Sequence, residues 1–131
     1  MLPADGDPTR INISRVAENM RRQDRERTER RHALHAEAQR QLDAAVEVAK
    51  RFPAVKRVRT WGSILRPERF TESSDLDLAV EGVSSPEEWG RLERALLDTV
   101  TLPLDLVRWE ELMEPHRESI TERGTILYEP D

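Results

Sequence analysis

Between Arg15 and Arg51 the chain holds neither Gly nor Pro, and its second half repeats apolar residues at steps of three and four: Leu34, Ala38, Leu42, Ala45, Val46, Ala49. That spacing predicts one long helix whose later turns carry an apolar stripe able to pack on a sheet. Ser14 stands where an N-cap is needed, and Pro53 marks the stop. The pattern then changes. VKRVRTW, residues 55–61, alternates loosely enough for a strand with Val58 facing inward, and Gly62 ends it; DLDLAV, residues 75–80, alternates acids with Leu76 and Leu78. Ser85, Pro86, Glu87 and Glu88 read as a capped helix start, and Trp89, Leu92, Leu96 and Val100 line the inner face that follows. LDLV at 104–107 predicts another strand, residues 111–122 a short helix, and TILYE after Gly124 a last strand. The order of elements predicts an α/β (α+β) layer structure, a small mixed sheet with helices packed on it and a long N-terminal helix.

The first part of the long helix departs from this pattern. Residues 21–31, RRQDRERTERR, contain six Arg, three acids and no apolar residue. Such a stretch has nothing to bury and reads as a solvated helix laced with charge pairs such as Glu26 with Arg30, or as a docking arm for an acidic partner, for RNA or for a second copy of the chain. Pro3, Gly6, Asp7 and Pro8 make residues 1 to about 13 a flexible lead-in. The division expected is an N-terminal arm over residues 1–33 and one domain over residues 34–131.

Composition narrows the function classes. At 131 residues there is room for one core and no separate substrate domain. A net charge of -5 argues against a protein whose main business is coating nucleic acid, because phosphate binding needs a cationic surface. Without cysteine there is no disulfide, thiolate metal site or Cys nucleophile. No run of eighteen apolar residues and no basic, apolar leader occurs, so a cytoplasmic protein without membrane contact is expected.

The candidate chemistry lies between the first two strands. Asp75 and Asp77, two positions apart on a strand, present their carboxylates to one face, and Asp105 sits between apolar neighbours on a later strand. Carboxylates gathered at one strand edge hold hard divalent cations, and nucleotidyl transfer needs two of them. Gly62 and Ser63, in a turn running off a strand, offer backbone N–H groups and a close approach for phosphates. Arg66 and Arg69 follow in the loop. His32 and His35, three apart on the long helix, are too few to make a metal site without other ligands.

TWGSILRPERFTESSDLDLAV, residues 60–80, resembles the polymerase-beta-like nucleotidyltransferases and, within them, the minimal nucleotidyltransferases. In these a strand ends in GS and is followed, after a loop, by an acid-x-acid strand. LPLDLVRWEEL supplies the later acid, Asp105, and ERGTILYE looks like the family's usual end. The likeness spans roughly residues 34–131, and departs in a loop that carries Pro67 and Phe70 in place of Gly. It implies Asp75, Asp77 and Asp105 as catalytic metal ligands for two Mg²⁺ (or Mn²⁺) ions, and Gly62 and Ser63 as the phosphate-binding pair. It also implies ATP as substrate, AMP as the transferred group and a hydroxyl as acceptor. Minimal members resemble antitoxins, which points to a tyrosine of a HEPN-type toxin partner. The alternatives are an idle binding antitoxin that masks its partner sterically, and an RNA 3'-end nucleotidyltransferase, which the acidic balance disfavours.

Overall fold

A computed structural model describes residues 11–131; the flexible lead-in expected over residues 1 to about 13 lies, apart from its last residues, outside them. The elements follow the order α1 (Ile13–Ala49), β1 (Arg57–Trp61), β2 (Leu76–Glu81), α2 (Pro86–Thr99), β3 (Leu104–Arg108), α3 (Glu114–Arg123) and β4 (Thr125–Tyr128). Two compact units meet between Arg30 and Arg31. The first is helical from Ile13, and Ile13, Val16 and Met20 are exposed on it. Its cap is Asn12, whose Oδ1 accepts from the Arg15 N–H at 3.1 Å, so the helix begins one residue ahead of the expected Ser14 cap.

The second unit is built on a four-stranded mixed sheet in the order β3-β2-β1-β4. β1 runs antiparallel to β2 and β4, and β2 parallel to β3, which α2 makes possible by crossing over between them. Leu76, Leu78 and Val80 of β2 and Val58 of β1 are fully buried and share one core with Ala38, Leu42, Ala45, Val46 and Ala49 of α1 and Leu92 and Leu96 of α2. The stripe read from the sequence is therefore the face that seals the sheet. The capping of α2 is as expected: the Ser85 Oγ accepts from the Glu88 N–H at 3.2 Å.

Further boundaries differ from the sequence reading; β1, for one, begins at Arg57 where residue 55 is expected. α1 stops at Ala49, two residues before Arg51, because the chain turns through residues 50–54 around Pro53. β2 begins at Leu76, leaving Asp75 just before the strand. α3 begins at Glu114 where 111 is expected, since a helix running from Glu111 would drive the Pro115 ring against the Glu111 carbonyl. Residues Trp109–Glu111 form a separate 3₁₀ turn. No helix among the described residues is long and apolar enough to cross a membrane.

Candidate active site

Because side chains alternate along a strand, the residues left over once Leu76, Leu78 and Val80 face the core are Asp77, Ala79 and Glu81. Register then decides what stands beside Asp77. Trp61 is its partner on β1, and Asp105 is its partner on β3, so Trp61, Asp77 and Asp105 form one row across three strands. The row lies where β1 ends and β2 begins. Asp75, one residue before β2, joins it from the same end. Asp75 and Asp105 are exposed and Asp77 is half-buried.

The three acids feel one another. Burial first, and then the charges of Asp105 and Asp75, push the Asp77 carboxyl up to about 6. Like charges gathered in a partly desolvated place are costly unless a cation joins them. Among the described residues no three His, Cys, Asp or Glu side chains are arranged to hold a metal ion by themselves. The donors that the row does offer, the carboxylates of Asp75, Asp77 and Asp105, are all oxygen, the kind Mg²⁺ takes when substrate phosphates and water provide the remaining ligands. The residues present fit such an ion.

β1 runs straight into a 3₁₀ turn, Gly62–Leu65, and this turn is set against the acids. Gly62 has φ of 86°, a conformation that L residues rarely adopt, and a Cβ built on it would overlap the Asp77 Oδ2. Only glycine lets the turn pass that close to the carboxylate. Thr60, fully buried, donates from its Oγ1 to the Asp77 carbonyl at 2.7 Å and so fixes β2 against the end of β1.

Sequence reasoning missed what holds the far side of the turn. The His35 Nε2 stands 2.6 Å from the Ile64 carbonyl, and its ring packs edge-on against Phe70, with centroids 5.6 Å apart. Phe70 is fully buried at the end of the loop, and Arg31 reaches the Glu68 carbonyl at 3.4 Å. The loop that departs from the family pattern is thus anchored to α1 at its start, middle and end. No spacing rule links a helical His to a carbonyl so far along the chain.

A cleft of about 340 Å³ opens on the other side of the turn, lined by Trp61, Gly62 and Ser63, by Arg66 and Arg69 of the loop, and by Ser119 and Arg123 of α3. Its volume falls in the range of small-molecule sites, about 300–1,000 Å³. The cleft lining thus holds three guanidinium groups and no carboxylate, while the Asp77 carboxylate lies against the Gly62 end of the same turn. Trp109 is occupied otherwise, its ring under the Arg59 guanidinium at 3.7 Å.

The family model for the polymerase beta nucleotidyltransferase domain matches residues 44–131. The chain belongs to the polymerase beta nucleotidyltransferase family. The match takes in all three strands of the row, the turn after β1 and the three acids. Among solved structures, this nucleotidyltransferase is similar to one described as a candidate minimal nucleotidyltransferase, at 26% identity and a TM-score of 0.55, covering 70% of this chain and 93% of the other. It also shares its fold with a toxin–antitoxin crystallised with AMP-PNP, at 16% identity and a TM-score of 0.56, covering 68% of this chain and 73% of the other. No curated protein matches the sequence.

Proposed function

We propose that this nucleotidyltransferase moves the AMP moiety of ATP onto an acceptor hydroxyl, and that the acceptor is a tyrosine of a HEPN-type toxin, so that the chain acts as an antitoxin. The observation that carries the reading is the row that sets Asp77 beside Asp105 with the Gly62 turn pressed against Asp77. Bound Mg²⁺ or Mn²⁺ ions neutralise phosphate charge and sharpen the attacking oxygen. Asp75 and Asp77 are the carboxylates that would hold the ions against the triphosphate, with Asp105 beside them.

Each group of the chain then has a task. The backbone N–H groups of the Gly62–Ser63 turn bind phosphate oxygens and orient the α-phosphorus. Asp105, exposed at the rim, accepts the proton of the incoming hydroxyl. The acceptor oxygen bonds to the α-phosphorus as the bond to the bridging oxygen breaks, and the electron pair leaves with pyrophosphate.

Support for a protein acceptor comes from two sides. One is the similar toxin–antitoxin structure, which shares the fold, and the other is the exposed position of Asp105 at the rim, open to an acceptor as large as a protein. The test is transfer of label from α-labelled ATP with Mg²⁺ to a purified HEPN-type toxin. Tyrosine labelling that Asp75→Asn with Asp77→Asn removes is expected. Label on the partner from the double variant at the wild-type rate would refute it.

A further inference from the structure

Eight large apolar side chains stand exposed among the described residues, and half of them fall within one span of ten residues: Ile11, Ile13, Val16 and Met20. The other four are spread over the second unit, Leu65 in the 3₁₀ turn, Leu97 in α2, Met113 ahead of α3 and Ile126 in β4. Single exposed apolar residues are ordinary on a protein surface, but the first four are grouped. Ile13, Val16 and Met20 follow at steps of three and four and so share one face of α1, where they are 79, 44 and 59% exposed.

Among the described residues of the first unit α1 is the sole element, so that unit offers nothing to cover this face. The ten residues ahead of Ile11 hold just two large apolar side chains, Met1 and Leu2. A helical stretch that packs on nothing is marginal in water. The contacts within this one, such as Arg27 with Asp24 at 2.6 Å and Arg22 with Asn19 at 3.1 Å, are exposed and each contributes little. The patch also ends sharply, since residues 21–31 hold six Arg, three acids and no apolar residue. RNA or an acidic partner would account for those arginines but not for Ile13, Val16 and Met20.

We propose that this face of α1 is a contact between two copies of the chain: their Ile13–Met20 segments pack antiparallel about a twofold axis, Ile13 of each against Met20 of the other. A short apolar patch is matched in length by its own copy, which a twofold contact requires. Charge selects the direction. A parallel pair in register would lay residues 21–31 beside themselves, six Arg against three acids giving a net +3 on each copy. Packed helices stand roughly 8–10 Å apart, about one Debye length, so that repulsion would be felt. The antiparallel pair instead carries the Arg-rich stretch past Ile13 of the other copy, toward residues 1–10, which hold Asp5 and Asp7 against one Arg. No residue of the carboxylate row or of the Gly62 turn takes part, so the contact stands apart from the nucleotidyl-transfer reading.

Sedimentation equilibrium of the full chain over a concentration series tests this. The mass should rise from 15.2 kDa toward twice that value, with a dissociation constant roughly in the micromolar range, as a small contact allows. Ile13→Glu or Met20→Lys alone should weaken association roughly a hundredfold, because each sets a charge against apolar side chains at both symmetry-related contacts. Mixed in equal amounts, the two variants should associate again. Antiparallel packing, unlike parallel, puts position 13 of one copy against position 20 of the other, so the introduced carboxylate meets the introduced ammonium and one native contact remains. Recovery in the mixture also shows that both variants are folded. A wild type that stays monomeric at roughly a hundred times the expected dissociation constant overturns the proposal, whether or not the arm binds a polyanion such as RNA. Undiminished association of either single variant overturns it too, and a mixture that does not recover overturns the antiparallel pairing and the proposal with it.

Discussion

The imidazole Nε2 of His35 lies 2.6 Å from the carbonyl oxygen of Ile64, joining α1 to the turn that carries Gly62 and Ser63. A carbonyl only accepts, so Nε2 carries the proton and the ring is fixed with Nε2–H toward the turn. Edge-on packing against the buried Phe70 sets the ring plane. Helix and Gly62–Ser63 turn are thereby one mechanical unit.

Replacing His35 with Ala should cost about 1–2 kcal/mol of stability, the loss of one partly buried hydrogen bond and a ring contact. ATP affinity should fall several-fold, because the turn's N–H groups lose their fixed direction. Thermal melts and ATP titrations on the same preparation check both effects, and unchanged affinity would reduce His35 to a packing residue.

Much of the site was legible in the sequence because it depends on period. DLDLAV states that Leu76 and Leu78 face one way and Asp77 the other, and LDLV says the same of Asp105. What the alternation did not contain is register: nothing in either strand alone says that Asp77 stands beside Asp105 and Trp61. Boundaries failed where a local rule competed with the pattern, as at Pro115, which delays α3, and at Asn12, which caps α1 ahead of Ser14. His35, Thr60, Ser119 and Arg123 were missed as site residues because their partners are backbone atoms or a cleft distant in sequence.

Gly62→Ala should destabilise the fold by about 1–2 kcal/mol from the positive φ alone. It should also abolish transfer, since the added methyl group displaces the Asp77 carboxylate. A chemical denaturation curve gives the first and labelled-AMP transfer the second. Activity within twofold of wild type would show that the turn and Asp77 are not in the contact described.

Asp77 gives a pH-dependent prediction. Its carboxyl is raised to about 6 in the folded chain, chiefly by burial and then by Asp105 and Asp75, whereas an unfolded aspartate titrates near ~3.9. Between those values the folded state holds more protons than the unfolded one, so this group lowers stability as pH rises through the window, and the penalty is complete above it. Asp77→Asn should therefore stabilise the metal-free protein at pH 7, by ~1 kcal/mol once solvent screening of a half-buried group is allowed for, while removing activity. Below about pH 4 the gain should vanish. Equal melting temperatures of variant and wild type at pH 7 would contradict the crowding of the three acids.

Gln41 on α1 accepts from the N–H groups of Thr101 and Leu102 at 2.9 and 3.1 Å, and donates to the Thr101 Oγ1 at 2.9 Å. It ties the approach to β3, and so Asp105, to the helix. Gln41→Ala should cost about 1–3 kcal/mol, because two backbone N–H groups lose their acceptor. Urea denaturation measures it, and a midpoint equal to that of the wild type would show that water replaces the side chain at no cost.

The claim that Asp75, Asp77 and Asp105 with the Gly62–Ser63 turn make a metal-dependent nucleotide site is tested most directly by one calorimetric comparison. ATP is titrated into wild type and into Asp75→Asn with Asp77→Asn, each in Mg²⁺ and in excess chelator. Mg²⁺ should tighten ATP binding to the wild type at least roughly tenfold, as expected when cations screen phosphates from carboxylates in a partly desolvated cleft, and should leave the double variant unchanged. Equal ATP affinity with and without metal in the wild type, or the same Mg²⁺ enhancement in the double variant, would contradict it.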